Sequence, residues 1–325
     1  LIACLNAQTL QDFQVIFSDD SPSQDVAQLL EDLHLDTPIR FSYRVIPGPR
    51  LGPASNAHHL FTAWNFSSSY VHYLLDDDLI FPDFYASHTA AYQQTTAQAC
   101  FSARIIVNER KTPLAGISMP PDEALPNKQS IEMLDFATCV RTIVPTCNNW
   151  LGELSNATFL GTALAGGVSG QLQRLPYYGL NDLGIFLEVL TQTPAAYIHN
   201  TLGAFRINRL QTSGNAHSNI FKSTVVSWIS LALDAHTMGL LHLAETQQCL
   251  RTVRPSIVQL AQSHTELMPL MQILDTWQRT PEDITSLHKA FTHYWLTQLQ
   301  NYPDYLAARS PIIPKTGALA PPALS

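Results

Sequence analysis

Two short apolar runs in this chain end in the same chemistry. Residues 15–21 read VIFSDDS and residues 73–79 read YLLDDDL. Each run has the apolar and aromatic make-up of a strand, and each stops at consecutive aspartates. Between them, Val26, Leu29, Leu30 and Leu33 recur at helical spacing behind Ser23, a residue type suited to a cap. Residues 41–46 alternate like a strand and end at the Pro-Gly-Pro turn at 47–49. Residues 56–64 and 82–94 have helical patterns, whereas 70–75 and 101–107 read as strands. Strands separated by helices predict a largely parallel sheet covered on both faces. In such sheets ligands bind beyond the carboxyl ends of the strands, so both acidic clusters should face one crevice.

The rest of the chain is less uniform. Residues 108–150 are rich in Pro and predict loops with short elements, and 155–170 are rich in small residues. Residues 182–191 predict a helix and 196–206 a strand pair or a strand and loop. After Ser218 four stretches carry apolar residues at helical spacing: 220–233, 240–260, 267–277 and 284–299. Thr280, Pro281 and Asp283 predict the start of the last helix, and Pro255 predicts a break or kink in the second. The division expected is 1–213 for an α/β domain, 214–309 for a helical region, and a Pro- and Ala-rich tail at 310–325 predicted to be disordered. The helices should pack on the first domain or join copies into a homo-oligomer.

Composition narrows the functional classes. Hydrophobic residues make up 46% and charged residues 14%, with a net charge of -8, so the clustered basic surface of a nucleic-acid binder is not present. The 5 cysteines form no CxxC pair and are odd in number, which predicts neither a disulfide framework nor a zinc site and fits a reducing compartment. No run approaches the ~20 apolar residues of a membrane span. The opening residues lack a signal-peptide pattern, so a cytoplasmic location is the expectation, with peripheral association at the inner face of a membrane left open.

The triplet Asp76-Asp77-Asp78 concentrates the chemistry. Three carboxylates following an apolar strand repel each other and lose solvation unless a cation offsets the charge. A hard divalent ion, Mg²⁺ or Mn²⁺, is the natural partner. The plain alternative is a cap or a water-facing turn, and for Asp19-Asp20 before Ser21-Pro22 a turn is the default. Other candidates are weaker. His58-His59 do not share a helix face, Gly166-Gly167 fit a turn, and Trp150, Tyr177 and Tyr178 fit core packing better than sugar stacking. Arg50 and Asn56 border the expected crevice.

The run LNAQTLQDFQVIFSDDSPSQD at 5–25 resembles the early segment of family 2 glycosyltransferases with the GT-A fold. The run at 48–85, from the Gly loop through Asn56 to LLDDDLIFPDFY, resembles the family's next block, and 177–213 resembles a third. The resemblance implies a mixed, mostly parallel GT-A sheet flanked by helices, with a helical C-terminal region beyond it. It also implies that the family's first strand lies outside this sequence. Asp19 or Asp20 would contact the nucleotide base, Asp76 the ribose or metal, and Asp78 the metal bridging the diphosphate. Asp77 sits between them as a spacer against the donor. Asp182 would be the general base and Arg206 would belong to the loop over the diphosphate. Two positions depart from the pattern: Asn181 replaces the acid before Asp182, and Asn208 replaces a loop His, with His217 nearby. The activity implied is inverting, metal-assisted hexosyl transfer from a nucleotide sugar, a UDP-sugar first among them, to a saccharide, lipid-linked or protein acceptor, as in cell-surface polysaccharide biosynthesis. A non-catalytic sugar-nucleotide-binding module is the alternative. A nucleotidyltransferase is a third.

Overall fold

The computed structural model describes residues 1–114, 119–207, 218–303 and 305. Its first element is α1 (Ile2–Asn6), followed by β1 (Gln14–Asp19), α2 (Val26–Asp36), β2 (Ser42–Pro47), α3 (Pro53–Trp64), β3 (Tyr70–His72), β4 (Leu79–Ile80), α4 (Phe84–Gln94) and β5 (Ala99–Val107). The Pro-rich stretch carries β6 (Ile131–Leu134) and α5 (Phe136–Ile143). Then come β7 (Ala157–Leu160), α6 (Gly161–Leu164), α7 (Asn181–Leu190) and β8 (Ala195–Arg206). The remaining helices are α8 (Asn219–Thr237), α9 (Leu243–Ala261), α10 (Met268–Trp277) and α11 (Ile284–Leu299).

The expected mixed, mostly parallel sheet flanked by helices is present. Its main body runs β3-β7-β5-β8-β4, with β6 also on β8, and β1-β2 form a separate pair. The two longest ladders, β5-β8 and β1-β2, are parallel, whereas the shorter ones are antiparallel. Strand β8 holds β5 on one edge and shares the other between β6, at Ala195–Ile198, and β4, at Gly203–Ala204. Gly203 suits this crossing because a Cβ there would stand 2.9 Å from the Leu79 carbonyl. Along β5, Ala99, Phe101 and Ala103 enter one core, and Cys100 enters another with Phe84, Ile80 and Ala196. The sheet is therefore buried on both faces, as an apolar central strand requires.

The first of those cores continues into the C-terminal helices. Polar side chains fasten the same contact. Ser227 Oγ donates to the Tyr178 carbonyl at 2.7 Å, and Trp295 Nε1 donates to that of Pro176 at 2.9 Å. Asp234 of α8 is fully buried, and its Oδ2 accepts the backbone N–H groups of Gln173, Arg174 and Leu175. The helices thus pack on the sheet region. The expected boundary near residue 213 and the tail at 310–325 lie outside the described residues.

Several local expectations shift. The strand expected over 70–75 ends at His72, because the Leu75 N–H is taken by the Ser155 hydroxyl instead of a ladder partner. The cap of α2 is not Ser23 but Asp25, and the first free N–H of that helix, Val26, is satisfied by Asp19 Oδ2. The last helix begins at Asp283, whose side chain accepts from Ser286 N, rather than at Thr280. Helix α9 continues through Pro255. Its flanking turns are held by packing of Val253 and Ile257, which are buried.

Asp234→Ala removes the acceptor shared by three N–H groups, of which that of Leu175 is buried, and a buried orphaned group costs about 1–3 kcal/mol. Urea denaturation should show a loss of about 1–3 kcal/mol, with Asp234→Asn smaller because it keeps one carbonyl oxygen.

Candidate active site

The acidic triplet forms the turn between β3 and β4. Because the two strands differ in partner, the turn crosses the end of the sheet. Asp76 is exposed, Asp77 is half-buried and Asp78 is 1% exposed. Asp78 Oδ1 accepts the Arg206 backbone N–H at 3.1 Å, which ties the triplet to the end of β8. Asp78 Oδ2 is buried with no hydrogen-bond partner. Burial pushes this carboxyl up to about 7, opposed by the Ser155 hydroxyl and the Arg206 N–H and reinforced by Asp77 and Glu153.

Asp182 stands in the first turn of α7. Its Oδ2 accepts the Leu154 N–H at 3.4 Å. Burial raises its carboxyl to about 6, the Glu153 charge adds to the rise, and the Leu154 N–H and Arg104 act against it. A carboxylate near 6 is matched to proton abstraction close to neutrality.

Tyr73 joins the two strand ends. Its ring stacks on Phe61 at 5.8 Å between centroids. Burial raises its phenol, and the charges of Asp182, Asp76 and Asp20 each raise it further. Those three carboxylates come from α7, the β3-β4 turn and the residue after β1, and each acts through space on the same phenol. Asp20 Oδ1 accepts the Arg50 N–H, and Gly48 leaves no room for a Cβ, which would lie 2.6 Å from that oxygen. Asp19 is turned inward instead. Its carboxylate accepts from Ser21 N, Ser21 Oγ and Val26 N. Burial alone would raise it, but these bonds outweigh burial and hold it below the usual range. Asp19 thus shapes the turn, and Asp20 is the carboxylate left nearer the crevice.

Sequence patterns did not single out Arg104 or Glu153. Arg104 sits on β5 where the register against β8 slips, a feature that re-aims side chains. Its guanidinium pairs with the Glu153 carboxylate through Nε and also reaches Oε1 at 3.1 Å. Gly152, at φ +101°, passes against that guanidinium, where a Cβ would lie 2.6 Å from Arg104 Cζ. Only an unusual lone Arg in an apolar strand hinted at such a pair. Trp150 and Tyr177 are core residues, as the packing reading had them: Trp150 Nε1 donates to Thr142 Oγ1 and the Tyr177 hydroxyl to Glu188. Asn56 Oδ1 accepts from the Ser18 hydroxyl. Asn208 and His217 lie outside the described residues. A cavity of about 610 Å³ between α10 and α11 includes none of the strand-end aspartates.

Among the described residues no three His, Cys, Asp or Glu side chains are grouped to hold a metal ion. A hard divalent ion does not need such a group. It is commonly held by one or two carboxylates and completed by phosphate oxygens and water. The unpartnered buried oxygen of Asp78, two residues from exposed Asp76, fits that mode.

No family model and no curated protein matches this sequence. Among solved structures, residues 1–349 of S. aureus TarS in complex with UDP-GlcNAc resemble the chain at a TM-score of 0.52 and 12% identity, over 91% of this chain and 87% of that one. The TarS complex with UDP gives 0.52 and 12%, over 96% and 85%. At this identity the likeness establishes the fold alone: a mixed, mostly parallel sheet flanked by helices and followed by a helical region. It extends over more of the chain than the sequence resemblance, which stops near residue 213, so the C-terminal helices belong to the shared architecture. No helix among the described residues is long and apolar enough to cross a membrane.

The raised Asp78 carboxyl has a measurable consequence for stability. Its neutral form is favoured in the folded state. The stability it contributes is fully present below its unfolded value of 3.8 and is lost as pH rises through about 7. Asp78→Asn should therefore stabilise the metal-free protein at pH 8 by roughly 2–4 kcal/mol, raising its melting temperature. The gain should shrink on acidification and vanish below pH about 4.

Proposed function

We propose that this protein is a glycosyltransferase that moves a hexosyl unit from a UDP-sugar to an acceptor hydroxyl with inversion. The observation that carries the reading is buried Asp78, which accepts the Arg206 N–H with one oxygen and leaves the other unpartnered, in a turn whose Asp76 is exposed. A fold shared with a protein solved bound to UDP-GlcNAc supports a donor of the same class.

In this reading Asp20 hydrogen-bonds the base, with Asp19 holding the turn that presents it. Asp76 contacts the ribose and shares the ion with Asp78, while Asp77 spaces the two. Arg206, tied to Asp78 through its backbone, lies at the diphosphate end of the crevice. The site is acidic, and Arg104 is committed to Glu153, so a bare diphosphate would be repelled. Mn²⁺ or Mg²⁺ held by Asp78 and Asp76 would supply Lewis-acid stabilisation of the charge growing on the leaving diphosphate. Asp182, fixed by the Leu154 N–H and the start of α7, takes the proton of the acceptor hydroxyl as that oxygen attacks the anomeric carbon. The carbon passes through an oxocarbenium-like state. A single base on the face opposite the leaving group inverts the anomeric configuration.

Calorimetry with UDP and Mn²⁺ tests the donor site. Wild type should bind UDP only with the ion, and Asp78→Ala should lose that binding. Absence of nucleotide binding by wild type, with Asp78→Ala indistinguishable from it, would overturn the reading. A UDP-sugar panel then tests the base. Asp182→Asn should lower kcat by about 10²–10⁴-fold with donor binding retained. The wild-type rate should fall as pH drops below about 6, where Asp182 takes up its proton.

A further inference from the structure

Cys147 and Cys249 lie 102 residues apart in sequence, yet their sulfur atoms are 3.5 Å apart. Cys147 stands in the turn after α5, and Cys249 lies in the middle of α9. Cys147 holds a left-handed backbone, φ +52°, which is uncommon for a residue with a side chain. That backbone is fixed by local bonds, with Cys147 N–H on the Val144 carbonyl at 3.2 Å and Asn148 N–H on that of Ile143 at 3.2 Å. Cys147 is half-buried, whereas Cys249 is fully buried, with its Sγ 3.5 Å from the Trp228 carbonyl. The remaining cysteines, Cys4, Cys100 and Cys139, are free and have no sulfur neighbour of this kind among the described residues. Cys147 is thus the less buried member of the close pair, and Cys249 lies behind it in the core.

We propose that Cys147 and Cys249 are a redox-modification site, a vicinal dithiol that small-molecule disulfides such as oxidised glutathione convert to an intramolecular disulfide. The Cys147 thiolate attacks one sulfur of the oxidant, the oxidant's S–S bond breaks, and one glutathione thiolate leaves. The mixed disulfide on Cys147 is then attacked by Cys249, which forms the protein S–S bond, expels the second glutathione and gives up its proton to it. Two protein thiols are oxidised and one glutathione disulfide is reduced to two thiols. A dithiol reverses the exchange. The hydrogen bond with Cys147, and after it burial, raises the Cys249 thiol, so proximity to Cys147, rather than acidity, drives the closing step.

The bond would join the turn after α5 to α9. The closed loop contains β7, α7, β8 and α8, and with them Glu153 and Asp182. Closing a loop of this length removes much of the unfolded chain's freedom, so oxidation should stabilise the folded form. The proposal does not depend on any assignment of activity.

The experiment treats the full chain with reduced or oxidised glutathione, then maps unreduced peptides by mass spectrometry and records thermal melting. The result expected is a Cys147–Cys249 cross-linked peptide that dithiothreitol removes. Melting should rise by about 5 °C or more on oxidation. Cys147→Ser and Cys249→Ala should each lose the cross-link and the rise. Half-buried Cys4 reports that the oxidant acted, since it can be capped but has no partner. Recovery of Cys147 as a free thiol or a stable glutathione adduct, in protein whose Cys4 has reacted, overturns the proposal. So does a cross-linked protein that melts lower than the reduced one. Both readouts are made on wild type, so a variant that fails to fold does not remove the test.

Discussion

The site depends on one buried ion pair, Arg104 with Glu153. Arg104 projects from the central strand β5 and is 8% exposed, and Glu153 is the carboxylate that answers its charge. Removing one partner of such a pair typically costs about 3–5 kcal/mol, because the other charge is left buried. Here the cost would be felt well beyond the pair. Glu153 starts the short turn Leu154–Asn156, and every residue of that turn touches something the site needs. Leu154 N–H reaches Asp182, Ser155 Oγ accepts the Leu75 N–H just before the triplet, and the Ser155 carbonyl meets His72. Asn156 donates to the carbonyls of Ser102 and Leu151 and fixes the turn to β5.

This arrangement also sets the electrostatics. Burial raises the carboxyls of Asp78 and Asp182, and Glu153, which neutralises Arg104, adds its own charge to both. The fold therefore holds two desolvated acids near neutrality, Asp78 just before β4 and Asp182 in the first turn of α7. Their charged forms lose solvation there, which is unfavourable for the folded protein by itself. The expense is borne by a continuous core that runs from the sheet into the C-terminal helices. Asp234 of α8 and Trp295 of α11 hold the 173–176 loop in front of α7, so the helical region braces the helix that carries Asp182.

The candidate site was partly legible before any coordinates. The candidates Asp76–Asp78 stood out because consecutive acids after an apolar run leave a local mark in sequence, and Asp182 because of the family resemblance around it. Their neighbours did not. Tyr73 reads as one more residue of an apolar run, and its position among three carboxylates appears only when α7 and β1 are brought to it. Glu153 follows Gly152 in an irregular segment, and its partner is 49 residues away on another strand. Asp19 shows a different case. A turn was the default reading of its motif, and its carboxylate does satisfy the turn and the first N–H of α2, a local role that Ser23 had seemed better placed to fill.

What the sequence determined by itself was the alternation of strands and helices over the first 107 residues, the two acidic turns, and the run of helices after Ser218. Each of these rests on periodicity and on turn chemistry, which act over a few residues. Tertiary structure decided the rest: that β8 would divide one edge between β4 and β6, that Arg104 would be aimed at Glu153, and that Cys147 would meet Cys249. Those outcomes follow from which faces are buried together, and burial is a property of the whole chain. The charge on Asp78 belongs to the same class. Its aspartates can be read in the sequence, but desolvation that moves its carboxyl to about 7 exists only once β4, β8 and the Ser155 turn close around it.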